Sequence, residues 1–202
     1  MNHNRFFRLI PALLAFAVVA PFASADSYNI GTGSSVVANS GDGLLIQTSL
    51  VTGLQNVSFN LNDGGSYTFG FFNIWTTETD VGKDDKQAVA INATLDFDTP
   101  VDWGVNFSGV TFGGTLALDF SQWGAVVWNA PITIGNFKVS LSNETFNEGL
   151  WWGLDEGTKH GATVKATVTQ LPTSRVPDSG TTVAFLGLAL VGLGFVSRRR
   201  VS

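Results

Sequence analysis

The chain has 202 residues, 44% apolar and 13% charged, with a formal net charge of −5 and no cysteine. The missing cysteines exclude disulfide staples, thiolate metal sites and a cysteine nucleophile. Two histidines, His3 and His160, are too few for a multi-histidine metal centre, and the acidic balance argues against a nucleic-acid partner.

Residues 1–25 read as a secretory signal peptide. Arg5 and Arg8 supply a positive start, Leu9 to Ala20 is apolar apart from Pro11, and Ala23-Ser24-Ala25 is a small-x-small site. The export machinery is therefore the first expected partner, with cleavage between Ala25 and Asp26. The apolar run is too short and too broken for a retained span, which needs about 18 or more apolar residues.

Residues 26–171 read as one all-β domain. Side chains alternate at period two: Val57, Phe59 and Leu61; Val89, Ile91, Ala93, Leu95 and Phe97; Leu116, Leu118 and Phe120; Phe137, Val139 and Leu141; Val164, Ala166 and Val168. One apolar and one polar face is the mark of antiparallel strands buried on one side only. Turn signals separate the runs at Asp42-Gly43, Asn62 to Gly65, Thr99-Pro100, Gly113-Gly114, Ala130-Pro131 and Gly161. About nine or ten strands are expected, packed as an antiparallel β-sandwich, with a closed barrel as the runner-up. Gly31 to Gly43, rich in Gly, Ser and Asn, reads as a loose strand or loop. From Asp26 to Gly180, sixteen acidic residues face six basic ones, a formal charge of −10. Such a body repels nucleic acid and anionic lipid.

No catalytic constellation stands out, so no enzyme activity, cofactor or metal is expected. Asp80, Asp84 and Asp85 could offer oxygens to calcium, but their spacing is not that of an EF-hand, and a solvated hairpin tip is the favoured reading. Asp96 and Asp98 project from one sheet face, with Asp102 beyond Pro100. A glycan hydrolase would need two carboxylates about 5–10 Å apart in a groove, and neighbours on an edge strand more often guard that edge. His160 reads as a turn residue. Tryptophans mostly fill or cap a core. Trp151 and Trp152 are the candidate carbohydrate-stacking pair, because adjacent strand positions face opposite ways and one must leave the core. Trp123 and Trp128 have opposite parity and cannot share a face.

Residues 172–180 form a short linker and motif, Val176-Pro177-Asp178-Ser179-Gly180. Pro177 biases Val176 towards the extended form that a protease-like cleft takes up. Residues 181–196 are uncharged and read as a single transmembrane helix. As a helix they span about 24 Å, short of the roughly 30 Å hydrocarbon core, a mismatch that tilt or local thinning absorbs. Residues 197–202 form a basic tail, and Arg198, Arg199 and Arg200 anchor it in the cytoplasm. Both ends thus place the body on the outer side of the membrane.

Motif, apolar helix and terminal arginines together resemble the PEP-CTERM class of bacterial sorting signals, in its VPDSG variant. The resemblance implies a Gram-negative source and an exosortase, a membrane-embedded cysteine transpeptidase that cuts near the motif. It also implies an association with exopolysaccharide. The protein would be held at the inner membrane and then displayed or released. Asp178-Ser179 stands where the commoner motif has Glu-Pro. Gly65 to Trp75, the polar loop after it and Ala88 to Val101 resemble choice-of-anchor β-sandwich domains, which implies a surface or matrix module without catalytic residues.

Overall fold

A computed structural model describes residues 25–38, 41–100, 102–116, 120–151, 153–172 and 186–189. The described residues form twelve strands: β1 (Asp26–Ile30), β2 (Ser35–Ala38), β3 (Ile46–Leu50), β4 (Ser58–Leu61), β5 (Ser66–Thr76), β6 (Val89–Thr99), β7 (Trp103–Leu116), β8 (Ser121–Trp128), β9 (Ile132–Ile134), β10 (Phe137–Leu141), β11 (Glu144–Leu150) and β12 (Ala162–Gln170). Nine or ten were expected; the described residues hold twelve, among them the short β2, β3 and β9, for which no alternating run was read.

Two sheets contain all of them. The seven-stranded sheet runs β11-β8-β7-β6-β1-β4, with β2 also paired to β6, and the five-stranded sheet runs β3-β5-β12-β10-β9. Every pairing is antiparallel. The inner faces share one apolar cluster, to which β6 contributes Ile91, Leu95 and Phe97 and β12 contributes Val164 and Val168. Each fully buried side chain of this size stabilises the fold by about 1.5–3 kcal/mol. Tyr28 ties the sheets together. Its ring stacks on Phe59 at 5.2 Å and meets the edge of Phe137, from the opposite sheet, at 5.6 Å.

Two irregularities decide what faces solvent. In β5, Phe72 pairs with Val164 while Gly70 pairs with Lys165, so Phe71 is an extra residue. This bulge reverses the strand's parity. Phe69 and Phe71 point inwards before it, and Phe72, Ile74 and Thr76 after it. Asn73 and Trp75 therefore turn to the outer face. In β11 the register shifts between Phe146 and Gly149. Asn147, fully buried with φ 53°, turns its side chain to neighbouring backbone.

Three expectations need correction. Leu116 and Phe120 do not share a buried strand face. β7 ends at Leu116, the Phe120 N–H donates to the Leu116 carbonyl at 3.0 Å across a turn, and both side chains are exposed. These two residues flank the connection from β7 to β8 instead of lining the core, and Leu118 between them lies outside the described residues. β6 is no edge strand, because β7 covers one side and β1 and β2, end to end, cover the other. The acidic loop after β5 is solvated at Asp80 and Asp84, as expected, but it is not a hairpin tip, because it crosses from the five-stranded sheet to the seven-stranded one and is held along its way. The Val81 N–H donates to Gln122 Oε1 at 2.5 Å, and the Leu154 N–H donates to the Thr79 carbonyl at 2.8 Å.

Ala23, Trp152, the motif residues Val176 to Gly180 and Arg198 to Arg200 lie outside the described residues, as does most of the expected 181–196 helix. Residues 186–189 are helical. Among the described residues no helix is long and apolar enough to cross a membrane.

Candidate functional site

The two ends of the body meet. Asp26, the residue expected to follow the signal-peptide cut, opens β1, and Gln170 closes β12 just before the linker. The Gln170 side-chain amide donates to Asp26 Oδ2 at 2.9 Å, and Asn136 Nδ2 donates to the same oxygen at 3.1 Å. The Tyr28 hydroxyl donates to Gln170 Oε1. The Leu171 N–H then donates to the Asn136 carbonyl at 2.7 Å, which holds the chain on its way out. Burial, with the Asp26 charge second, pushes the Tyr28 phenol up to about 12. The arrangement is a polar clasp at one pole of the body, buried at Tyr28 and Gln170 and exposed at Ala25. Sequence reasoning named Asp26 as a cut-site residue but missed Gln170 and Asn136, since nothing local marks them as its partners.

Trp151 is 71% exposed, with φ 63°. Its N–H donates to the Phe120 carbonyl at 3.0 Å, and the two rings meet edge to face at 4.9 Å. Leu116 and Leu150 flank the buried Ser121 on either side. Together they make an apolar corner at the edge formed by β11. Trp128 is buried on the inner face, and Trp123, half-buried, lies on the outer one.

The other sequence candidates hold structure. Asp96 Oδ2 accepts the Gly33 N–H at 2.9 Å, and the Asp96 backbone carbonyl accepts the Gly31 N–H at 2.9 Å. A Cβ at Gly31 would lie 2.2 Å from Asp96 Oδ2 and 2.6 Å from Asp98 Oδ1, so a larger residue there would push these carboxylates aside. In the acidic loop, Asp85 Oδ2 accepts the Gly82 N–H at 2.7 Å, and Lys86 Nζ donates to Thr115 at 3.0 Å. Glu78, at the base of this loop, has its carboxyl raised by burial first and by Asp85 and Asp80 after that. Among the described residues no group of three or more His, Asp or Glu is arranged to hold a metal ion. His160 sits in the short turn Thr158–His160, with Nδ1 3.8 Å from Asp155.

Residues 175–200 match the family described as the VPDSG-CTERM motif, the sorting-signal class anticipated above. The match covers the tail alone and suggests export, surface localisation and processing by an exosortase-like enzyme. No curated protein and no solved structure matches the chain.

Proposed function

We propose that the chain is an exported envelope protein, sorted at its C-terminus and displayed as a non-enzymatic structural or adhesive body associated with exopolysaccharide. The VPDSG-CTERM motif at residues 175–200 carries this reading. In it, residues 1–25 deliver the chain and are removed. The 181–196 helix then holds the body at the inner membrane, with Arg198 to Arg200 in the cytoplasm. An exosortase-like transpeptidase cuts near Val176 to Gly180, and the body passes to the surface or matrix. The clasp between Asp26 and Gln170 supports the route, because both tails leave from one pole. A body tethered by either tail would stand on the same end.

Intact mass of the protein from native cells tests the route. The expected species starts at Asp26 and has lost the residues beyond the motif. Alanine at all five positions from Val176 to Gly180 should leave the tail attached and the protein in the inner-membrane fraction. A full-length, cytosolic protein would overturn the reading.

The exposure of Trp151 favours a second reading, in which the body is a carbohydrate-binding module that stacks sugars on this corner. Glycan binding lost in Trp151→Ala would support it.

A further inference from the structure

A recess of about 230 Å³ opens on the outer face of the five-stranded sheet, lined by Ser49, Asn73, Trp75, Thr158, Gly161 and Thr163 among others. Ser49 of β3, Asn73 of β5 and Thr163 of β12 are paired in register, so they form one row across three strands. Trp75 lies two residues beyond Asn73 on the same strand and so on the same face. The Thr163 hydroxyl donates to Asn73 Oδ1 at 2.7 Å, which fixes the orientation of the amide. Gly161 lies close against the backbone of β5. A Cβ there would come within 2.6 Å of the Ile74 carbonyl and 3.0 Å of Trp75 Cβ, so glycine lets the Thr158–His160 turn wall the recess this close to the strand.

We propose that this recess is a binding subsite for a neutral sugar ring, stacked on Trp75 and hydrogen-bonded by Asn73, Ser49, Thr158 and Thr163. The chemistry is selective. An indole offers an apolar face to the C–H side of a pyranose, and a planar amide with three hydroxyls supplies donors and acceptors for ring hydroxyls. None of the lining residues is charged, and the body carries −10, so a phosphorylated or carboxylated ligand is disfavoured. The volume lies below the roughly 300–1,000 Å³ of sites for larger organic ligands, which suits a single ring of a chain. The position fits a surface module too. Thr163 lies seven residues, about 23 Å, up β12 from Gln170, so the recess sits towards the end away from the tails. The bulge at Phe71 is what builds it, since the same residues in unbroken alternation would put Asn73 and Trp75 in the core. This inference deepens the polysaccharide association proposed above and uses none of the sorting evidence.

The test is titration of the full chain, held in a detergent without a sugar headgroup, with neutral tetrasaccharides of glucose and of N-acetylglucosamine. Intrinsic fluorescence and calorimetry are the readouts. At least one tetrasaccharide should bind. Affinity should fall about tenfold or more in Trp75→Ala, the loss expected for an anchor aromatic. Trp75→Tyr should recover part of it, Thr158→Val should weaken binding, and Trp151→Ala should leave it unchanged. If Trp75→Ala does not fold, Thr158→Val carries the test, because Thr158 lies in an exposed turn. No binding by either tetrasaccharide at millimolar concentration, or binding that survives both Trp75→Ala and Thr158→Val, overturns the subsite. Binding lost only in Trp151→Ala also overturns it and moves the site to the apolar corner. Failure here, with the mature protein still retained in the native matrix, leaves the proposed function standing.

Discussion

Gln170 holds Asp26 across 144 residues of chain, its side-chain amide 2.9 Å from the Asp26 carboxylate, while the other atom of that amide accepts the Tyr28 hydroxyl. One glutamine therefore satisfies a buried phenol and latches the first residue of the body to its last strand. Gln170→Leu should leave the Tyr28 hydroxyl buried without its acceptor and cost about 1–3 kcal/mol of stability. Urea unfolding should show a lower midpoint at unchanged slope. Tyr28→Phe combined with Gln170→Leu should recover part of the loss, since no buried hydroxyl is then stranded. Strictly additive losses would show that the two side chains do not act together.

The same clasp sets an alkaline limit. The folded-state phenol is raised from 10.0 to about 12, so the folded protein keeps this proton where the unfolded chain gives it up. The contribution is complete below pH about 10 and is lost as pH rises through the folded value. Unfolding midpoints measured from pH 9 upwards, on the order of one unit apart, should fall for the parent protein and fall less steeply for Tyr28→Phe. Parallel curves would refute the assignment.

Glu78 acts at the other end of the scale. Its raised carboxyl means that the folded state prefers the protonated form, so its contribution to stability is present in acid and lost as pH rises through the raised value. Glu78→Gln should raise the unfolding midpoint at neutral pH and change little below about pH 4. An equal gain at both pH values would mean that burial of the ionised carboxylate, with repulsion from Asp85 and Asp80 behind it, is not the cause.

Asn147 joins three segments. Its Oδ1 accepts the Thr76 N–H at 2.9 Å, and its Nδ2 donates to the carbonyls of Gly157, at 2.9 Å, and Asp155. Asn147→Gly keeps the backbone conformation easy and removes every one of these bonds. We expect a loss of about 2–4 kcal/mol, above the usual cost of a surface change. Amide exchange should rise at Thr76 and through residues 154–157. Faster exchange spread evenly over the body, with no excess there, would argue against the pinning role.

Trp151 should behave in the opposite way. It is exposed and sits at φ 63°, a conformation that costs a bulky residue about 1–2 kcal/mol and glycine almost nothing. Trp151→Gly should be at least as stable as the parent in thermal unfolding. A clear fall would show that the contact with Phe120 outweighs the strain.

How much of this was legible depended on whether the signal was local. Residues 175–200 carry their sorting pattern in one contiguous run, so reading along the chain was enough. Strands β6, β10 and β12 alternate without interruption, and their inward residues are those that period two selects. β5 broke the rule. Strict alternation from Phe69 puts Asn73 and Trp75 in the core, and nothing in Gly-Phe-Phe-Asn announces the extra residue. The adjacent pair Trp151 and Trp152 was legible for a local reason, because neighbouring strand positions face opposite ways. The recess also draws on three strands and a turn, a pairing fixed by topology and invisible to spacing. The clasp was hidden for the same reason, with its partners at opposite ends of the chain.

The doubled phenylalanine at Phe71 and Phe72 also restricts how this protein can drift. Deleting Phe71 alone would remove the bulge and restore plain alternation, leaving Phe72 and Ile74 inside and Asn73 and Trp75 on the outer face. A one-residue change made without gaining or losing a bulge would instead turn the rest of β5 inside out, so related chains that retain this surface should carry either the extra residue with its bulge or neither.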